Sequence, residues 1–71
     1  MGKSLISNTI RKLRFNAGEM TQQQLAEKVL VTRQTIVAIE AGKYSPSLEL
    51  AFRISNVFGL PLEEVFTYHP E

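Results

Sequence analysis

Arg33 and Gln34 stand side by side in "VTRQTI", residues 31–36, directly after a threonine able to cap a helix. Both side chains end in planar forks of hydrogen-bonding groups. A guanidinium can bridge O6 and N7 of guanine and a carboxamide can bridge N6 and N7 of adenine, each pairing contributing about 1 to 3 kcal/mol of discrimination when well placed. On the first turn of a helix that buries neither, such a pair is either solvated surface or turned toward a partner outside the chain. A cation beside a helix N-terminus is mildly unfavourable for the dipole, and that cost favours the partner. Thr35 adds a methyl that could touch thymine and a hydroxyl that could reach a phosphate or bond back within the helix. Ala38, one turn beyond Gln34, could approach a thymine methyl or simply fill an exposed face.

Little else in the chain suggests reactivity. His69 is the single histidine, and there is no cysteine, no aspartate and no phosphate-binding glycine loop to set beside it. No acid–base pair or nucleophile can be assembled, so no enzyme, metal, cofactor or small-molecule ligand is expected. The 71 residues make one small domain, and a domain of that size buries only about 60% of the surface its unfolded chain exposes. Without cysteine, nothing points to an oxidising compartment. No apolar run approaches the length needed to cross a bilayer, and "MGKSLISNTI" lacks a signal-peptide apolar segment, so a cytoplasmic protein without membrane contact is expected.

The net charge is only +1, but residues 1–43 hold seven Lys/Arg against three Glu, while residues 44–71 hold one Arg against four Glu. One end is basic. That asymmetry matters only if the basic part also carries a recognition element.

The elements that would position Arg33 and Gln34 follow from periodicity and caps. Ile6, Ile10, Leu13 and Ala17 have the spacing of one buried helical stripe, with Arg11, Lys12 and Arg14 interleaved and Gly18 closing the helix. Thr21 followed by Gln24 forms a capping box that opens a second helix, with Leu25, Ala26 and Val29 on one face. Thr32 can cap a third that carries Ile36 and Ile39 inward and stops at Gly42. Pro46 and Ser47 introduce a fourth helix with Leu50, Ala51, Ile54, Val57 and Phe58 on its apolar face, closed by Gly59; "PLEEVF" reads as a short fifth, started by Pro61. No alternating segment is long enough for a strand. The expectation is an all-α domain of five helices over residues 1–71.

Helices two and three are separated by about three residues, around "LVT", which suits a sharp helix-turn-helix. Leu25, Val29, Val31, Ile36 and Ile39 can then share one seam, with Ala26 small where the two helices cross. Here the stretch "TQQQLAEKVLVTRQTIVAIEAGK" resembles the helix-turn-helix of the Cro/repressor type, the xenobiotic-response-element class of transcriptional regulators. "IRKLRFNAG" is similar to the first helix of small stand-alone members and "YSPSLELAFRISNVFGLPLEEVF" to their fourth and fifth, so the likeness covers nearly the whole chain. One departure stands out: such members usually have glycine in the turn where this chain has Leu30, at a position that tends to need a left-handed backbone.

The resemblance implies sequence-specific binding of double-stranded DNA by a small regulator, with residues of about 32–42 as recognition helix in the major groove. In that docking mode the N-terminal residues of the third helix face base edges, which assigns Arg33, Gln34, Thr35 and Ala38 to bases. Gln22 and Gln23 would clamp a phosphate at the start of helix two, with Thr32, Lys43 and Tyr44 reaching others, although Tyr44 could instead pack over the turn. Arg14 and Glu40 match a partly buried ion pair that holds the recognition helix. Phe15 is expected at the core or its rim. One recognition helix supplies too little discrimination alone, so regulators of this kind pair two copies about 34 Å apart. Leu62, Val65, Phe66 and Tyr68 offer apolar surface for a homodimer, unless the first three cover the chain's own core. The competing reading is a helical interaction module such as an antitoxin-like partner of a toxin; it would be expected to carry a tail or extra helix, which "TYHPE" is too short to provide.

Overall fold

Local signals cut the chain where the sequence places them. In the computed structural model, which describes residues 5–70, α1 spans Ile10–Asn16, α2 Gln22–Val29, α3 Arg33–Glu40, α4 Leu48–Phe58 and α5 Leu62–Val65. At the start of α2 the Thr21 N–H donates to Gln24 Oε1 (2.8 Å) and the Gln24 N–H to Thr21 Oγ1 (3.0 Å), closing the capping box. Thr32 Oγ1 accepts from the Thr35 N–H and Ser47 Oγ from the Leu50 N–H, opening α3 and α4 in the same way. Gly59 ends α4 with φ 67°, the left-handed conformation that a residue without Cβ adopts at no steric cost.

Leu25, Ala26 and Val29 of α2, Ile36 and Ile39 of α3, and Leu50 and Ile54 of α4 pack together, joined by Ile10 and Val65. Each side chain of this group is at most a few per cent exposed, so every helix contributes to one core. Ser55 is buried among them; its hydroxyl donates to the Ala51 carbonyl 2.9 Å away, satisfying itself within α4.

The five helices are as expected, but the ends of the described chain differ. Ile6–Asn8 forms a strand, β1, paired antiparallel with Phe66–Tyr68, β2, in the register Ile6 with Tyr68, Ser7 with Thr67 and Asn8 with Phe66. Ile6 therefore does not belong to the stripe of α1, and Ala17 at the other end of that stripe is an exposed cap residue. Three residues per strand are too few for alternation to show, and the pairing joins segments at opposite ends of the sequence. α5 is a single turn, and Phe66 leaves it with extended backbone to start β2. Phe15, expected at the core or its rim, is 67% exposed.

Candidate nucleic-acid interface

The turn between α2 and α3 is built by Leu30, Val31 and Thr32. Leu30 takes φ 65° and ψ 41°, the left-handed conformation, with its N–H donating to the Ala26 carbonyl. The Val31 N–H donates to the same carbonyl (3.0 Å), which wraps the chain tightly over the end of α2. Ala26 is fully buried at this crossing. A larger side chain would force the helices apart.

A polar clasp locks α3 against the rest. Arg14 Nε donates to Glu40 Oε2 (2.7 Å) and Nη2 to Glu40 Oε1 (3.0 Å), a fork-on-fork ion pair in which the two side chains are 14% and 10% exposed. Arg14 Nη1 donates to the Met20 carbonyl (2.8 Å), so the guanidinium also braces the segment between α1 and α2. Gln22 Nε2 donates to Glu40 Oε1 (3.2 Å). Asn8, which the sequence reading passed over, completes the hold: its Nδ2 donates to the Ile39 carbonyl (2.9 Å) while its Oδ1 accepts from the Ile10 N–H (3.1 Å). No pattern in the sequence marks Asn8, because both of its roles depend on the strand pairing that carries it to the end of α3.

With α3 so held, its first turn points away from the core. The Arg33 and Gln34 side chains are exposed and make no hydrogen bond or ion pair among the described residues. Thr35 is half-buried, with its hydroxyl 3.1 Å from that of Thr32, and Ala38 is half-buried. Gln22 is half-buried and turned toward Glu40, whereas Gln23 is exposed and its Nε2 donates to Glu27 Oε2 (3.0 Å). Lys43 and Tyr44 lie exposed just past α3. Arg11, Arg14, Thr21, Gln22, Gln23, Arg33 and Glu40 border one open groove, which brings together Arg33, expected at a base, and Gln22 and Gln23, expected at phosphates; Gln34, Thr35, Ala38, Thr32, Lys43 and Tyr44 do not line it.

The residues expected at a dimer contact separate. Val65 is 1% exposed inside the core and cannot meet another chain. Leu62 and Phe66 are half-buried and, with Ile6, Pro46, Leu48 and Ala51, line a shallow apolar groove; Tyr68 is 63% exposed on the outside of the ribbon.

Among the described residues no helix is long and apolar enough to cross a membrane. A helix-turn-helix family model matches residues 10–65, the stretch from the start of α1 to the end of α5. An uncharacterised HTH-type transcriptional regulator of Methanocaldococcus jannaschii is 54% identical over 52 residues, covering 73% of this chain and 79% of that protein. The cryptic phage CTXphi transcriptional repressor RstR of Vibrio cholerae is 31% identical over 61 residues, covering 86% of this chain and 54% of its own length. A crystal structure of a transcriptional regulator from Listeria innocua superposes with a TM-score of 0.71 at 22% identity, over 92% of this chain and 64% of that one. With its turn, its clasped third helix and the family match across nearly its whole described length, the chain belongs to the Cro/CI-type helix-turn-helix family.

Proposed function

We propose that this helix-turn-helix regulator of transcription acts in the cytoplasm as a repressor, a homodimer whose two α3 helices enter major grooves one turn apart on duplex DNA. The observation that carries the reading is the contrast along α3. Its far end is clasped by Arg14, Gln22 and Asn8, while Arg33 and Gln34 at its near end are exposed and without a partner among the described residues. A rigid mount with free hydrogen-bonding forks is the arrangement that base readout needs. In this reading Arg33 and Gln34 contact bases, with Thr35 and Ala38 beside them. Gln22, Gln23, Thr32, Lys43 and Tyr44 hold phosphates, which fixes register without reading sequence. Repression is supported by the likeness to RstR, a transcriptional repressor by name. Pairing of two copies is supported by the apolar groove around Leu62 and Phe66 and by the exposed Tyr68.

Selection of bound sites from a random duplex pool tests this directly. The wild type should return a motif of two related half-sites. Arg33→Ala should blur one position in each half and weaken the selected site by about 1 to 3 kcal/mol. An unchanged motif and affinity for Arg33→Ala would show that α3 does not lie in the groove in this register.

A further inference from the structure

We propose that Arg11, on the first turn of α1, contacts a DNA phosphate and forms one wall of the groove that Arg33 also borders. The proposal rests on reading that groove as the DNA face. Three arginines and one glutamate border it: Arg11, Arg14, Arg33 and Glu40. The charge of Arg14 is matched by Glu40 at 2.7 Å, and both are nearly buried. Arg11 and Arg33 have no such compensation; each side chain is exposed and without a hydrogen bond or ion pair among the described residues. The groove thus presents two free guanidiniums, one from α1 and one from α3, together with the amides of Gln22 and Gln23.

Two uncompensated cations facing one concavity raise the local potential for an anion. The occupant that fits is the backbone of a duplex, because the same groove is continuous with the base-reading turn of α3. A duplex seated on Arg33 and Gln34 brings its strand along this wall, where a guanidinium forks onto phosphate oxygens. Glu19 borders a neighbouring concavity with Arg11 but makes no ion pair with it. Lys12, the next residue, provides an internal comparison. It opens on an adjoining concavity, with Asn8, Thr9 and Phe15, which shares Arg11 and Glu40 with the Arg33 groove, but Lys12 itself does not border that groove.

The experiment measures affinity for the wild-type selected duplex and for random duplex across a series of salt concentrations, using wild type, Arg11→Ala, Arg11→Lys and Lys12→Ala. Loss of one phosphate contact should make the slope of log affinity against log salt shallower by about 0.9 in Arg11→Ala. Selected and random duplex should weaken alike, with the selected motif and the melting temperature unchanged. Arg11→Lys and Lys12→Ala should keep the wild-type slope, since either cation serves a phosphate and Lys12 does not border the Arg33 groove. A wild-type slope in Arg11→Ala, an equal loss in Lys12→Ala, an Arg11→Lys variant that behaves like Arg11→Ala, or a motif altered at one position would each overturn the contact while leaving the proposed function standing. A wild type without salt-dependent duplex binding would overturn both.

Discussion

Leu30 holds a backbone conformation that its side chain opposes, and replacing it separates the strain from the packing. For a residue with a Cβ the left-handed region costs about 1 to 2 kcal/mol, and Leu30 sits there at φ 65°. The side chain recovers little of this, being 79% exposed. If full burial of a leucine contributes about 1.5 to 3 kcal/mol, the covered fifth is worth roughly 0.3 to 0.6. Glycine removes the strain but loses that contact and adds about 0.4 to 1 kcal/mol of unfolded-state entropy. Leu30→Gly should therefore lie between about 0.6 kcal/mol destabilising and about 1.3 kcal/mol stabilising. Leu30→Ala loses the same contact and keeps the strain, so it should fall below Leu30→Gly by about 1 kcal/mol, or about 4 to 8 °C in Tm for a domain of this size. Thermal melts of the three proteins at one concentration, followed by circular dichroism, read that order. Leu30→Ala melting at or above Leu30→Gly would refute the account, and a large drop in both would show that Leu30 packs more than its exposure suggests.

Removing one half of the Arg14–Glu40 clasp should cost more than the pair itself contributes, because the other charge stays behind nearly buried. Glu40→Ala should destabilise by about 3 to 5 kcal/mol in urea unfolding; a change under about 1 kcal/mol would show that the clasp is readily hydrated. Ala26→Leu should cost about 1 to 3 kcal/mol by overpacking the crossing of α2 and α3, and a neutral result would mean that the helices can separate without loss. Sedimentation at micromolar concentration should find wild type as a dimer and the Phe66→Ala, Tyr68→Ala double variant shifted toward monomer; a wild type that stays monomeric both free and on a two-half-site duplex would remove the dimer from the proposal.

What could be read from the sequence is what acts over a few residues. Thr21, Thr32 and Ser47 cap the helices they precede because a hydroxyl three residues from a free N–H needs no help from the rest of the fold. Leu25, Val29, Ile36 and Ile39 are buried because helical spacing puts them on one face. Contacts closed over long separations were hidden. Ile6 continues the spacing of α1 almost without a break, yet backbone pairing with Tyr68 draws it into a strand. Val65 could be read as free for another chain or as core because nothing local reveals that it joins the core cluster with Ile10 and Ile54. Phe15 erred in the opposite direction: an aromatic between Arg14 and Asn16 gives no clue to which side of a seven-residue helix it takes. The place of Arg11 beside Arg33 is likewise a property of three helices together.

The ribbon of β1 and β2 bears on the order in which the molecule assembles. Ser7 and His69, whose side chains meet at 2.7 Å, are separated by 62 residues of chain. Closing a flexible loop of that length costs on the order of 3 to 4 kcal/mol of chain entropy, and six paired residues cannot offset it alone. The shared core, which holds Ile10 of α1 and Val65 of α5 next to the two strands, must bring the ends together, so the ribbon is expected to zip late and open early. Its opening is not a local matter. The Thr9 N–H is held by the Val65 carbonyl (3.0 Å) and Asn8 holds the Ile39 carbonyl (2.9 Å), so fraying at the ribbon loosens the start of α1 and the end of α3 together. A fusion that disturbed either strand would thus be felt at the end of α3, through the Asn8–Ile39 hydrogen bond.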